Sequence, residues 1–229
     1  MKYNRFIDNR VIQACIRPQL PKLCGPTVIS EIIQIMLKKT ICPHEISKII
    51  GLQLDNDDYK MGMGTKSVLK GITLVSKNTI NCKIIDFSTY NNNKELVWKF
   101  IKETVKKQKD LLYLHEAGHH ILICGFLEEP VITAENFKDG ISCNYSIPFN
   151  CTCNSTINCT SNCTSNCTKK VGLQDKSEIK EILVLAEHNI KDPDKIINSM
   201  LKERDFKSVF DELLNNKDRL HLVHLSLKH

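Results

Sequence analysis

Cys24 opens the segment Cys24-Gly25-Pro26-Thr27 directly before a long apolar run, a place where a thiol can do nucleophilic chemistry. A thiolate at a helix N-terminus is stabilised by the positive end of the helix dipole, and the amides there can point at a developing oxyanion. Gly25 leaves room for a substrate carbonyl to approach. An arbitrary cysteine is more often a small buried hydrophobe; the position of Cys24 ahead of a buried helix sets it apart. Such a thiol needs a base, and imidazole shuttles protons near neutral pH. Of the eight histidines, His119 is preferred, because it follows Gly118 at the start of an apolar strand. Its neighbour His120 should point to the other face, and a slip of one residue in the strand register would exchange the two. His115 lies further from that strand. A third group should orient the imidazole from the neighbouring strand. Glu187, at the end of the apolar run 182–186, is the first choice, Asn189 the second and Asp192 the third.

The elements that must position these groups follow from periodicity. Val28, Ile29, Ile32, Ile33, Ile35, Met36 and Leu37 predict a helix over 26–38 buried on most faces, with Pro26 in its first turn. Further helices are expected over 44–50, closed by Gly51, over 65–75 with Thr65 as N-cap, and over 95–106 with lysines at its C-terminal end. Residues 55–64 read as a polar loop and a candidate rim of the cleft. Strands are expected over 82–87, then as a hairpin over 111–114 and 120–126 turning through Glu116-Ala117-Gly118, and over 181–186 and 220–227. Two more helices are expected, from Asp192 or Asp194 to about Met200 and over 206–214. Helices cluster early and strands late, which predicts an α+β fold with N-terminal helices packed on an antiparallel sheet.

At 229 residues and 41% hydrophobic, the chain can bury one full core, so a single catalytic domain over 1–229 is expected. From residue 130 to 170 the pattern dissolves into a low-complexity Asn/Cys/Thr-rich insertion, centred on about 143–170. Five of the eleven cysteines fall in it, between Cys151 and Cys167. The tract could offer thiolates to zinc or copper(I), but its spacing matches no ordinary zinc module, and no cofactor or metal is expected. Its N-x-S/T triplets at Asn150, Asn154, Asn158, Asn162 and Asn166 are glycosylation acceptors only in a secretory compartment. The opening Met-Lys-Tyr-Asn-Arg-Phe-Ile-Asp lacks the apolar core of a signal peptide, and no stretch approaches the roughly 18 apolar residues of a membrane span. The expected address is the cytosol, without a membrane partner. The net charge of +6 is scattered, with no basic run interleaved with aromatics, so nucleic acid is not an expected partner.

Cys24-Gly25-Pro26-Thr27 at a helix start, followed about a hundred residues later by Gly118-His119-His120-Ile121-Leu122-Ile123-Cys124-Gly125-Phe126, resembles the papain-like cysteine peptidase superfamily. The bacteriocin-processing peptidase and phytochelatin-synthase-like branches are the most similar. The resemblance covers residues 13 to about 129 and extends more loosely through 182–193. It implies a papain-like fold, an acidic residue on the strand after the histidine, and a glutamine whose amide helps form the oxyanion hole. That glutamine usually stands about six residues before the cysteine; Gln19 stands five before Cys24. The aromatic residue that commonly follows the histidine is here His120. The implied reaction is acyl transfer, in which the thiolate attacks an amide carbonyl, Gln19 and the Cys24 amide hold the oxyanion, and water cleaves the thioester. A peptide or protein is the implied substrate. An amine acceptor would instead make a phytochelatin-synthase-like peptidyl transferase, and a papain-like fold that has lost catalysis would be a binding module.

Overall fold

The computed structural model describes residues 4–15, 23–52, 63–116, 119–131, 179–186, 201–217 and 219–228. The chain divides into two compact units, residues 2–128 with 181–229, and residues 129–180 with Met1. Both hydrophobic clusters and the candidate site belong to the first unit.

The described residues form a mixed helix and antiparallel-sheet structure of the expected α+β class. In chain order the elements are β1 (Asn4–Ile7), α1 (Asn9–Cys15), α2 (Cys24–Leu37), α3 (Pro43–Ile49), α4 (Thr65–Val75), β2 (Ile80–Ile84) and a 3-10 turn (Phe87–Tyr90). Then come α5 (Lys94–Lys107), β3 (Leu111–Glu116), β4 (His119–Pro130), β5 (Ile179–Ala186), β6 (Leu201–Asp205), α6 (Phe206–Asn215) and β7 (His221–Leu227). The sheet runs β2-β7-β3-β4-β5-β6, and β1 pairs with Gly125–Glu128 of β4, beyond the stretch that pairs with β3.

Helices cover both faces of this sheet. On one face α1–α4 bury Val11, Val28, Ile29, Ile32, Ile46, Val68 and Ile72 against Tyr113, Leu122, Val184 and Val223. On the other, α5 and α6 bury Val97, Trp98, Ile101, Phe206 and Phe210 against Leu112, Leu114, Ile121, Leu183 and Leu222. Successive strand residues therefore alternate between two interiors rather than between core and water, which is why these strands are apolar almost throughout. The expectation of N-terminal helices on a sheet holds for α1–α4, and the second helical layer is added to it.

Local chemistry explains where elements begin and end. α2 is rich in β-branched residues, which are mediocre helix formers, so burial rather than propensity sustains it. Gly71 lets α4 approach α2, since a methyl there would lie 2.7 Å from Ile29 Cδ1. Gly51 has φ 73° and closes α3 in the left-handed conformation that glycine tolerates. The Asn93 side chain accepts from the Leu96 amide and caps α5. The strand expected over 82–87 stops at Ile84, because the Asp86 carboxylate accepts from the Ser88 amide and draws the chain into the 3-10 turn. Thr65 is not an N-cap: Gly64 holds that position, and the Thr65 side chain is engaged elsewhere. The helix expected near 192–200, the insertion at 143–170 and the loop 55–62 lie outside the described residues.

Candidate active site

Cys24 is the first residue of α2. Its sulfur accepts the backbone amides of Gly25 and of Cys24 itself, both of which favour the thiolate, while burial pushes the thiol above its ordinary value. The burial effect is the larger, so the environment of the described residues does not by itself produce the acidic thiol expected from the helix terminus. Burial also raises two other thiols, Cys82 to about 11 and Cys124 to about 12. Cys24, Cys42, Cys82 and Cys124 are free thiols.

Strand alternation decides which histidine shares a face with α2. His120, Leu122 and Cys124 lie on one side of β4, and Leu122 and Cys124 belong to the cluster that α2 covers. Ile121 and Ile123 belong to the opposite cluster, and His119 shares their side. His119 thus stands on the face away from Cys24, half-buried beside its register partner Glu116, whose carboxylate accepts from Lys202 and Arg204. His120, rather than the preferred His119, is the one placed on the face that α2 covers.

His120 is 0% exposed, and its Nε2 lies 2.6 Å from the carbonyl oxygen of Met63. A carbonyl only accepts, so Nε2 carries the proton and Nδ1 is the basic nitrogen of the neutral ring. Met63 also reaches the residue next to Cys24. A methyl built on Gly25 would lie 2.4 Å from Met63 Sδ and 3.0 Å from Met63 Cβ, so only glycine at 25 admits that side chain. One residue therefore joins the start of α2 to the buried imidazole.

Two further histidines share this face. His115 pairs with His120 on one side and with His221 of β7 on the other. The His115 ring stacks on His120 at 4.3 Å and 12°, and lies 6.2 Å from His221 with an interplanar angle of 2°. Thr65 Oγ1 stands 2.8 Å from Nδ1 of His115 and 2.8 Å from Nδ1 of His221. Burial, followed by the charges of His221 and His119, lowers the pKa of His115. His221 also borders a cavity of about 200 Å³, lined with Ile84, Phe87, Leu213 and Lys217.

No family model matches this sequence, and no curated protein matches it. What the site can do therefore rests on its own geometry.

No cluster of three or more metal-ligating side chains occurs among the described residues. Gln19, Glu187, Asn189 and Asp192 lie outside those residues, as does the cysteine tract at 151–167. No helix among the described residues is long and apolar enough to cross a membrane. Sequence reasoning placed Met63 only within a candidate rim of the cleft and Thr65 only as a helix cap, and gave neither a role beside the histidines. Neither carries chemistry on its own, and only the fold brings them against histidines 50 or more positions away.

Proposed function

We propose that the protein is a thiol-dependent acyl-transfer enzyme of the papain-like type, a cysteine peptidase that cleaves a peptide or isopeptide amide, with Cys24 as nucleophile and His120 as base. The observation that carries this reading is Met63, whose side chain seats against Gly25 while its carbonyl holds Nε2 of His120. With Nε2 committed, Nδ1 takes the Cys24 proton. The sulfur then attacks the amide carbon, the carbon–nitrogen bond breaks, and the imidazolium returns its proton to the leaving amine. Water, deprotonated by the same nitrogen, cleaves the thioester and regenerates the thiol. The amide of Gly25, already directed at the sulfur, supports the oxyanion that forms beside it. In this reading a backbone carbonyl supplies the orientation expected of an acidic side chain.

One observation favours a second reading. Burial raises the Cys24 thiol, as it would in a papain-like domain that binds partners without catalysis. The pH dependence of Cys24 alkylation by iodoacetamide, followed by mass spectrometry, separates the two. An enzyme should show Cys24 reacting fastest among the eleven cysteines, with an apparent pKa below about 7.5 that rises in His120→Ala and stays put in His119→Ala. A Cys24 that titrates near or above 8.5 and ignores both substitutions makes the protein a binding module.

A further inference from the structure

We propose that Thr65 is a positioning residue for His120, acting through His115; this rests on the reading of His120 as the base. Thr65 Oγ1 lies 2.8 Å from Nδ1 of His115 and 2.8 Å from Nδ1 of His221, and a hydroxyl has one proton to donate. It cannot donate to both rings, so at least one of His115 and His221 donates its Nδ1–H to Thr65 Oγ1.

Fixing His115 matters because its ring is the platform under His120. The two rings stack at 4.3 Å with 12° between their planes, in register-paired positions of β3 and β4, and both residues are buried. A His115 free to flip about its χ2 torsion would exchange polar and apolar ring edges beneath the base. Pinned at Nδ1, it presents one fixed edge. Two residues before Thr65, the Met63 carbonyl pins Nε2 of His120. The stretch Met63-Gly64-Thr65 thus fixes three imidazoles from one side, and a Thr65 hydroxyl that could have capped α4 is spent on the histidines instead. Orientation of a base within about an ångström changes rates by large factors, so such a support has a kinetic consequence.

The test uses the full chain labelled with 15N-histidine. Long-range 1H–15N correlation spectra identify each ring's tautomer, with assignments from single histidine substitutions. In the wild type, at least one of His115 and His221 should be an Nδ1–H tautomer, and Thr65→Ser should preserve the pattern. Thr65→Val, equal in volume but without the hydroxyl, should lose it and slow Cys24 alkylation at pH 7 by about tenfold, with the activity restored in Thr65→Ser. Two Nε2–H rings in the wild type overturn the proposal, whether or not Thr65→Val folds. An active Cys24 whose rate is unchanged in a folded Thr65→Val also overturns it and leaves His120 as base. An inert wild-type Cys24 with an Nδ1–H tautomer at His115 or His221 instead removes the base reading, and Thr65's role toward it, while the hydrogen-bonded ladder stands.

Discussion

Burial acts on His115 and Cys24 for one reason and with opposite effects on the pH scale. A low-dielectric surrounding disfavours the charged form, which lowers an imidazole and raises a thiol. For His115 the consequence is a stability that depends on pH. Its folded pKa is lowered from an unfolded value of about 6.5, so below that pH the unfolded chain binds more protons than the folded one. The contribution is complete above about pH 6.5 and is lost as the pH falls toward the folded value. Urea midpoints measured at pH 7.5 and pH 5.5 should fall on acidification, and His115→Phe, which keeps a ring on His120, should fall by less. Equal losses would mean that His115 is not the group that titrates. Cys24 was legible as the opening residue of a buried helix because a cysteine followed by Gly-Pro before an apolar run is a local pattern. The choice between His119 and His120 was not. Periodicity tells inside from outside only when one side of a strand is wet, and Ile121, Leu122, Ile123 and Cys124 are buried whichever way they point.

Elements with strong periodicity or a clear cap were readable to within a residue or two: α2, α3, α5, α6 and β7 all fall close to their expected ranges. β1, α1 and β6 left no such mark. β1 is four residues and mostly half-buried, α1 is seven, and β6 reads Leu-Lys-Glu-Arg-Asp, a charged stretch that becomes a strand only because β5 lies beside it. What admits β1 is a glycine that sequence alone does not distinguish from any other. A methyl on Gly125 would lie 2.3 Å from the carbonyl oxygen of Phe6 and 3.2 Å from Ile7 Cα, and that obstacle is backbone rather than a flexible side chain. Gly125→Ala should therefore displace β1 and cost about 1–3 kcal/mol, the range for overpacking a filled site. Hydrogen exchange would locate the damage. The amide of Phe6 should lose protection, along with that of Asp8, which donates to Cys124 O at 2.6 Å, while amides of β3 and β7 keep theirs. Retained protection at β1 would show that the strand shifts as a unit to accommodate the methyl.

The sheet is a shared wall between two hydrophobic interiors, and this makes the two helical layers mechanically dependent on one another. β3, β4, β5 and β7 each send alternate residues into opposite clusters, so loosening one face weakens the backbone that holds the other. The chain has a single tryptophan, and it reports on only one of these faces: Trp98, on α5, stacks on Phe206 of α6 at 4.7 Å. Ile32 lies on α2, fully buried on the opposite face. Ile32→Ala removes no atom from the tryptophan's cluster, yet it should destabilise the whole unit by about 2–5 kcal/mol, the cost of an aliphatic truncation that leaves a cavity. Urea unfolding followed by Trp98 fluorescence and by far-UV circular dichroism should shift to lower midpoints by the same amount, as a two-state transition requires. If the circular dichroism transition moves while the fluorescence transition stays, α5 and α6 hold their side of the sheet without α1–α4. The candidate site would then sit on a layer that can open alone. Coincident shifts instead tie Cys24, Met63 and the histidine ladder to the integrity of the far face, so that Phe206→Ala, a truncation remote from the thiol, should expose Cys24 to alkylation at a lower urea concentration than in the wild type.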